Sequence, residues 1–187
     1  MTLILSNKQL FRYLFVILLI GVILGSISLV YPFGRDQGIY AYIGKLINEG
    51  KIDYKYSYNL RPPGVHYVFA FSQMILGKSM MSMRVFDIFW QAITAFIIFL
   101  VTLELSKKKL ISLVPSVLYI YLYYRLNYWH TLQTDGFMVL PFAVCILLLI
   151  KFGINNSGLN LFLSGCFFSI TIFFKFTVII FLPLLFI

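Results

Sequence analysis

The sequence predicts an all-α polytopic membrane bundle of about five to six spans, with two helices along the extracytoplasmic surface between the first span and the second. Three observations predict it. The chain is 61% hydrophobic, 19% aromatic and 11% charged, more apolar surface than a soluble domain of 187 residues can bury. Its apolar residues form runs separated by short polar or basic stretches. The basic residues, which bring the net charge to +9, gather at the ends of those runs, as Lys and Arg kept on the cytoplasmic side do. In a soluble chain that charge would point to nucleic acid; here it marks topology, and no nucleic-acid partner is expected. Cys145 and Cys166 fall inside apolar runs, the setting of small buried hydrophobes rather than of a disulfide or metal pair.

Residues 13–31 follow Lys8 and Arg12 and are long enough, at about 1.5 Å per residue, to cross a hydrocarbon core of about 30 Å. The run is longer than a signal-peptide core and no small-x-small cleavage site follows, so it reads as an uncleaved first span with a cytoplasmic amino end. Over residues 37–49, Ile39, Ile43, Leu46 and Ile47 recur at helical spacing, with Asp36 placed to cap the start and Gly50 the end: a surface helix. Residues 51–60 carry Asp53, Tyr54, Tyr56, Tyr58 and Asn59, a composition that suits an ordered interfacial loop.

Residues 63–76 decide the topology. As a helix they measure only about 21 Å, too short to cross. Were they to cross, the next span, 82–105, would leave Lys107, Lys108 and Lys109 outside, against the positive-inside tendency. Lying in the interface instead, they form the second surface helix and bring those lysines to the cytoplasm. The spans 110–124, 136–150, 159–174 and 176–187 then alternate, with Lys151 at a cytoplasmic end and residues 153–158 as a short turn. Tyr119, Tyr121, Tyr123, Tyr124, Tyr128 and Trp129 read as an aromatic belt at the outer interface.

This arrangement collects Arg35, Asp36, Asp53, Arg61, His66, Arg84, Asp87, Arg125, His130, Asp135 and Lys175 on the outer face. Ionisable groups near membrane depth are costly unless paired or facing a watery cavity, so their concentration at one face marks that face as functional. Each has a plainer reading. Asp36 and Asp135 open helices and suit capping; Arg61 suits headgroup anchoring; Lys175 suits snorkelling. Arg84 and Asp87, three apart on one helix, suit a structural pair. His66 and His130 lack the companions of a metal site.

The order of features resembles the GT-C superfamily of glycosyltransferases, in the branch of protein O-mannosyltransferases, aminoarabinose transferases and Rgt-like enzymes. The residues that carry the resemblance are Asp36-Gln37 after the first span, a surface helix closing in Gly50, then Arg61-Pro62-Pro63-Gly64. They continue with a second surface helix closing in Gly77, Arg84 opening the next span, Thr134-Asp135 opening a later one, and a span from Gly165 to Lys175. Two positions depart from the pattern: Gln37 stands for a second acidic residue and Arg61 for a Lys. The lost carboxylate weakens metal binding, and no metal or cofactor is expected. Arg61 keeps the cation and adds bidentate geometry for a phosphate.

The resemblance implies a GT-C-like fold and inverting transfer of a sugar from a polyprenyl-phosphate donor to a hydroxyl of a lipid, glycan or protein acceptor outside the cytoplasm, in the plasma membrane. Asp36 is the candidate base, Arg61 the first candidate for the donor phosphate, Lys175 or Arg125 the second, and Asp135 a candidate for acceptor binding. Tyr58 and Tyr124 are candidates to line a sugar pocket. Members of that pattern are several times longer, so the chain is expected to be the amino-terminal part of such an enzyme, inactive alone. The alternatives are a transport or scaffolding subunit, or an inactive fragment. A transporter would place polar or broken-helix elements near the bilayer midplane, whereas these charges stand at one interface. Single cysteines replacing Asn59 and Lys108 are expected to label from opposite sides of the membrane; labelling from the same side would contradict the span order.

Overall fold

Ser6 opens the first helix with a reciprocal cap: its hydroxyl accepts the Gln9 N–H, and the Gln9 side chain accepts the Ser6 N–H. That helix, α1, is Asn7–Gly25 and runs on as a 3-10 segment, Ser26–Val30. After it come α2 (Arg35–Asn48), α3 (Gly64–Leu76), α4 (Met80–Ser106), α5 (Lys109–Arg125), α6 (Thr134–Asn155), α7 (Gly158–Phe174) and a 3-10 segment, Phe176–Phe186. These elements are seen in a computed structural model that describes residues 6–186; among the described residues there is no strand. Ile187, the end of the expected last span, lies outside them, as do residues 1–5.

A helix stands at each expected stretch as far as Phe174, with shifted ends. The first helix starts six residues before Tyr13 because Ser6 caps it there. The helix expected to stop at Ile150 continues to Asn155, carrying Lys151 and Gly153 inside it, and the turn shrinks to Asn156 and Ser157. Asn156 adopts the left-handed conformation (φ 49°) that ends a helix. The tail from Phe176 is 3-10 rather than α-helical. Cys145 is buried, but Cys166 is exposed on the outside of α7, contrary to the buried setting expected; both are free.

Three stretches of the described residues are long and apolar enough to cross a membrane: Lys8–Val30, Met80–Ser106 and Thr134–Asn155. The chain is a helical membrane protein. Helix α3, with 13 residues, is only about 20 Å long.

Two contacts define the poles of the bundle. Lys109 Nζ donates to Gln9 Oε1 at 3.1 Å, so α5 begins beside the start of α1. Arg84 Nη2 donates to the Pro32 carbonyl at 2.9 Å, so α4 begins where α1 and its 3-10 extension end. Helices α2 and α3 lie in the chain between Pro32 and Arg84 and pack against each other at that second pole. Gly44 permits the approach, since a Cβ there would stand 2.8 Å from the Ala70 nitrogen. One apolar core joins α1, α4 and α5 through Ile17, Phe99 and Ile120. A second joins α2, α3, α4, α6 and α7 through Tyr40, Phe69, Met83, Phe137 and Phe174.

A buried polar knot closes the second pole. The Gln37 amide donates to the carbonyls of Tyr128 (2.6 Å) and Thr131 (2.7 Å), while its own carbonyl accepts the Gly34 N–H. Arg84, fully buried, reaches Thr131 Oγ1 as well as Pro32 and lies over the rings of Tyr31 and Phe33. It is not ion-paired with Asp87, as the spacing suggested. Asp87 instead accepts from Gln91 (2.9 Å) and from the Tyr123 hydroxyl (2.9 Å), which in turn accepts the Leu132 N–H. Tyr119 donates to Gln91 at 2.6 Å and Tyr124 is buried in the core, its hydroxyl unpartnered among the described residues, so half of the expected aromatic belt faces inward. Tyr121 and Trp129 remain outside.

Gln37→Glu is expected to destabilise the fold by about 3 kcal/mol, because two buried carbonyls lose their donors and face a carboxyl group. Asp36→Asn, one residue away, is expected to change stability by less than about 1 kcal/mol. Denaturant or thermal unfolding in detergent measures both; equal effects would contradict the knot.

Candidate functional site

Successive helical residues point about 100° apart, so the inward lock on Gln37 turns Asp36 out of the core. Asp36 lines a cleft of about 440 Å³ with Arg35, Ile39, Tyr58, Asn59, Leu60 and Arg61. It does not cap α2: the N-cap residue is Gly34, and the side chain reaching back to it is that of Gln37. The Asp36 carboxylate is half-buried and makes no hydrogen bond to a described residue. Its place in the first turn gives it the favourable field of the helix N-terminus.

Arg61 enters the same cleft from the opposite wall, on the loop between α2 and α3. Its N–H donates to Asn59 Oδ1 at 3.2 Å and its carbonyl accepts the Tyr54 hydroxyl, so the backbone is held while the side chain stays exposed. Among the described residues the ion pairs of lysine are Lys45–Glu49, Lys107–Glu104 and Lys175–Asp135, and Asp53 meets the His66 imidazole. Asp36 and Arg61 thus share a cleft without neutralising each other.

The loop is built on Asp53. Its Oδ1 accepts the Tyr54 N–H (2.9 Å) and the Ser57 hydroxyl (2.8 Å), and its Oδ2 lies 2.7 Å from His66 Nδ1. Tyr54 sits in the left-handed region at φ 61°, a conformation the Asp53 contact helps to hold. Burial raises the pKa of the Tyr54 hydroxyl above the ordinary tyrosine value, with the Asp53 charge adding to it. Where the loop meets the bundle, Gly64 is required: a Cβ there would stand 2.7 Å from the Phe173 carbonyl at the end of α7.

Lys175 follows α7 directly, and its Nζ meets Asp135 Oδ1 at 2.7 Å. The pair is exposed (37% and 63%), so it contributes at most about 1 kcal/mol to the fold. Between this pair and the cleft stand Tyr40 and Thr134, whose buried hydroxyls have no hydrogen-bond partner among the described residues. Burial raises the Tyr40 pKa; nearby Thr134 and Arg61 act against that and Asp36 with it. Arg125 is not part of this group. It stacks on Tyr121 and lines a separate groove with Ile23, Leu24 and Ile27 on the outside of the bundle.

A third hollow, about 480 Å³ and almost wholly apolar, begins at Gly64 and runs between α3, α4 and α7, lined by Tyr67, Phe71, Trp90, Ile170 and Phe173. The Asp53–His66 contact and the two unpartnered hydroxyls of Tyr40 and Thr134 were not anticipated. Both involve residues on different elements, and no spacing in the sequence signals them.

A family model for dolichyl-phosphate-mannose-protein mannosyltransferases matches residues 60–187. The chain belongs to this family. Membership makes it a member of a membrane glycosyltransferase family, in keeping with its apolar helices. The matched segment contains Arg61, Arg125, Asp135 and Lys175; Asp36 precedes it. No curated protein and no solved structure gave a match.

Proposed function

We propose that the chain carries the donor site of a GT-C transferase that moves a sugar from a polyprenyl-phosphate carrier to an acceptor hydroxyl on the extracytoplasmic face, with inversion. The observation that carries this reading is the shared cleft: a carboxylate and a guanidinium on opposite walls, neither spent on the other. Three residues after Arg61, the apolar hollow opens at Gly64. A donor with its isoprenoid tail in that hollow presents its phosphate at Arg61 and its sugar toward Asp36.

In the reaction the acceptor oxygen attacks the anomeric carbon from the face opposite the phosphate. The bond from that carbon to the phosphate oxygen breaks, and the electron pair leaves with the phosphate. Arg61 stabilises the charge that develops there, and its planar fork suits two phosphate oxygens. Asp36 takes the proton from the acceptor hydroxyl. Lys175, on the same side as Asp135, supplies a second positive charge, and Asp135 a contact for the acceptor.

In this reading α1, α4, α5, α6 and α7 cross the membrane in alternation, and the tail from Phe176 begins a further crossing. Helices α2 and α3 lie in the outer interface. The amino end and Lys107 to Lys109 are cytoplasmic, and the membrane is the plasma membrane. The clustering of Asp36, Arg61, Asp135 and Lys175 at one pole, with the three lysines at the other, supports it. Gln37 is fully committed to the fold, so it supplies no second ligand beside Asp36.

Sugar transfer from radiolabelled polyprenyl-phosphate mannose is the test, in membranes carrying the protein. Asp36→Asn is expected to lower kcat by about 10²-fold or more with little change in donor KM. Arg61→Ala is expected to raise donor KM and lower kcat. Unchanged turnover in Asp36→Asn would remove it as the base.

A further inference from the structure

The cleft holds its cation through an arrangement outside the cleft itself. His66, on the first turn of α3, is completely buried, and Asp53 stands 2.7 Å from its Nδ1. On the other side of the ring, His66 Nε2 is 3.1 Å from Asn59 Nδ2. The orientation of Asn59 is set independently, because its Oδ1 accepts the Arg61 N–H. Its amide group therefore faces the histidine as a donor, and Nε2 must accept. The proton of the neutral ring then sits on Nδ1 and is donated to Asp53.

We propose that Asp53, His66 and Asn59 are positioning residues that fix Arg61 in the cleft, a polar chain running from the buried start of α3 to the backbone of the phosphate-binding cation. Loop residues 53 and 59 grip the same imidazole from opposite sides, so the segment between them is closed into a ring around a post rooted in the core. Asp53 spends its second oxygen on Tyr54 and Ser57, and the Tyr54 hydroxyl returns to the Arg61 carbonyl. Arg61 is thereby held at both its N–H and its C=O, leaving only its side chain free. An exposed arginine on an unanchored loop would lose most of that preorganisation on binding an anion. The effect on ligand rests on the reading of Arg61 as the phosphate site; the ordering of the loop does not.

Two measurements on the full chain in nanodiscs test this. In a Cys145→Ala, Cys166→Ala background, a nitroxide on Leu60→Cys reports loop mobility and one on Lys78→Cys serves as a control. Asn59→Ala and His66→Phe are expected to raise mobility at position 60 several-fold and leave position 78 unchanged. His66→Gln, which restores an acceptor toward Asn59, is expected to give a smaller rise. Unchanged mobility at position 60 in Asn59→Ala would overturn the proposal.

The second measurement is affinity for farnesyl phosphate. Asn59→Ala is expected to weaken it about fivefold, and by less than twofold when Arg61→Ala is already present. The same loss in both backgrounds would overturn the proposal. If Arg61→Ala itself left affinity unchanged while Asn59→Ala still mobilised position 60, the phosphate role of Arg61 would fall and the ordering of its loop would stand.

Discussion

The Gln37 carboxamide is the joint on which the charged pole depends. Its two donors and one acceptor engage three backbone groups from two segments, the turn before α2 and the 126–133 connection. Buried backbone groups left without partners cost more than a typical hydrogen bond contributes, so this is where the pole resists rearrangement. Arg84 binds the same connection to the end of α1. With α2 anchored by Gln37, its next-door Asp36 has one direction left to face. The same anchored connection leads straight into Thr134 and Asp135.

Charges at this pole are held in two ways. Asp135 and Lys175 satisfy each other in an exposed contact that costs little to open. Asp36 and Arg61 are kept apart on opposite walls, with no ion pair for either among the described residues. Keeping an unpaired carboxylate and an unpaired guanidinium in one cleft is electrostatically poorer than letting them meet. The fold prevents their meeting by fixing both backbones: α2 through Gln37, and the Arg61 loop through Asp53, His66 and Asn59. Such arrangements are found where the charges serve a ligand rather than the fold.

Much of this was legible in the sequence. Apolar run lengths gave the helices, and the shortness of residues 63–76 kept α3 beside α2 at one pole. Helix ends moved where a local cap won over hydropathy, as at Ser6 and Asn156. Hydropathy could not tell an outward tyrosine from an inward one, so Tyr119, Tyr123 and Tyr124 were read as a belt although they serve Gln91, Asp87 and the core. Spacing paired Arg84 with Asp87, but both found partners on other elements. The Asp53–His66–Asn59 chain was invisible because it depends on how a loop folds back on a helix. Gln37 looked like a weakened acid; only its three partners identify it as a structural residue.

The account requires that Asp36 and Arg61 face each other across one cleft in the membrane-bound protein. Cross-linking tests this directly, with Ile39→Cys and Leu60→Cys, one on each wall, in a chain lacking Cys145 and Cys166, treated with a short bis-maleimide in native membranes. The account predicts an efficient intramolecular bridge between the two positions. If each cysteine reacts singly and no bridge forms, the two walls do not enclose a common site, and the proposed roles of Asp36 and Arg61 are contradicted.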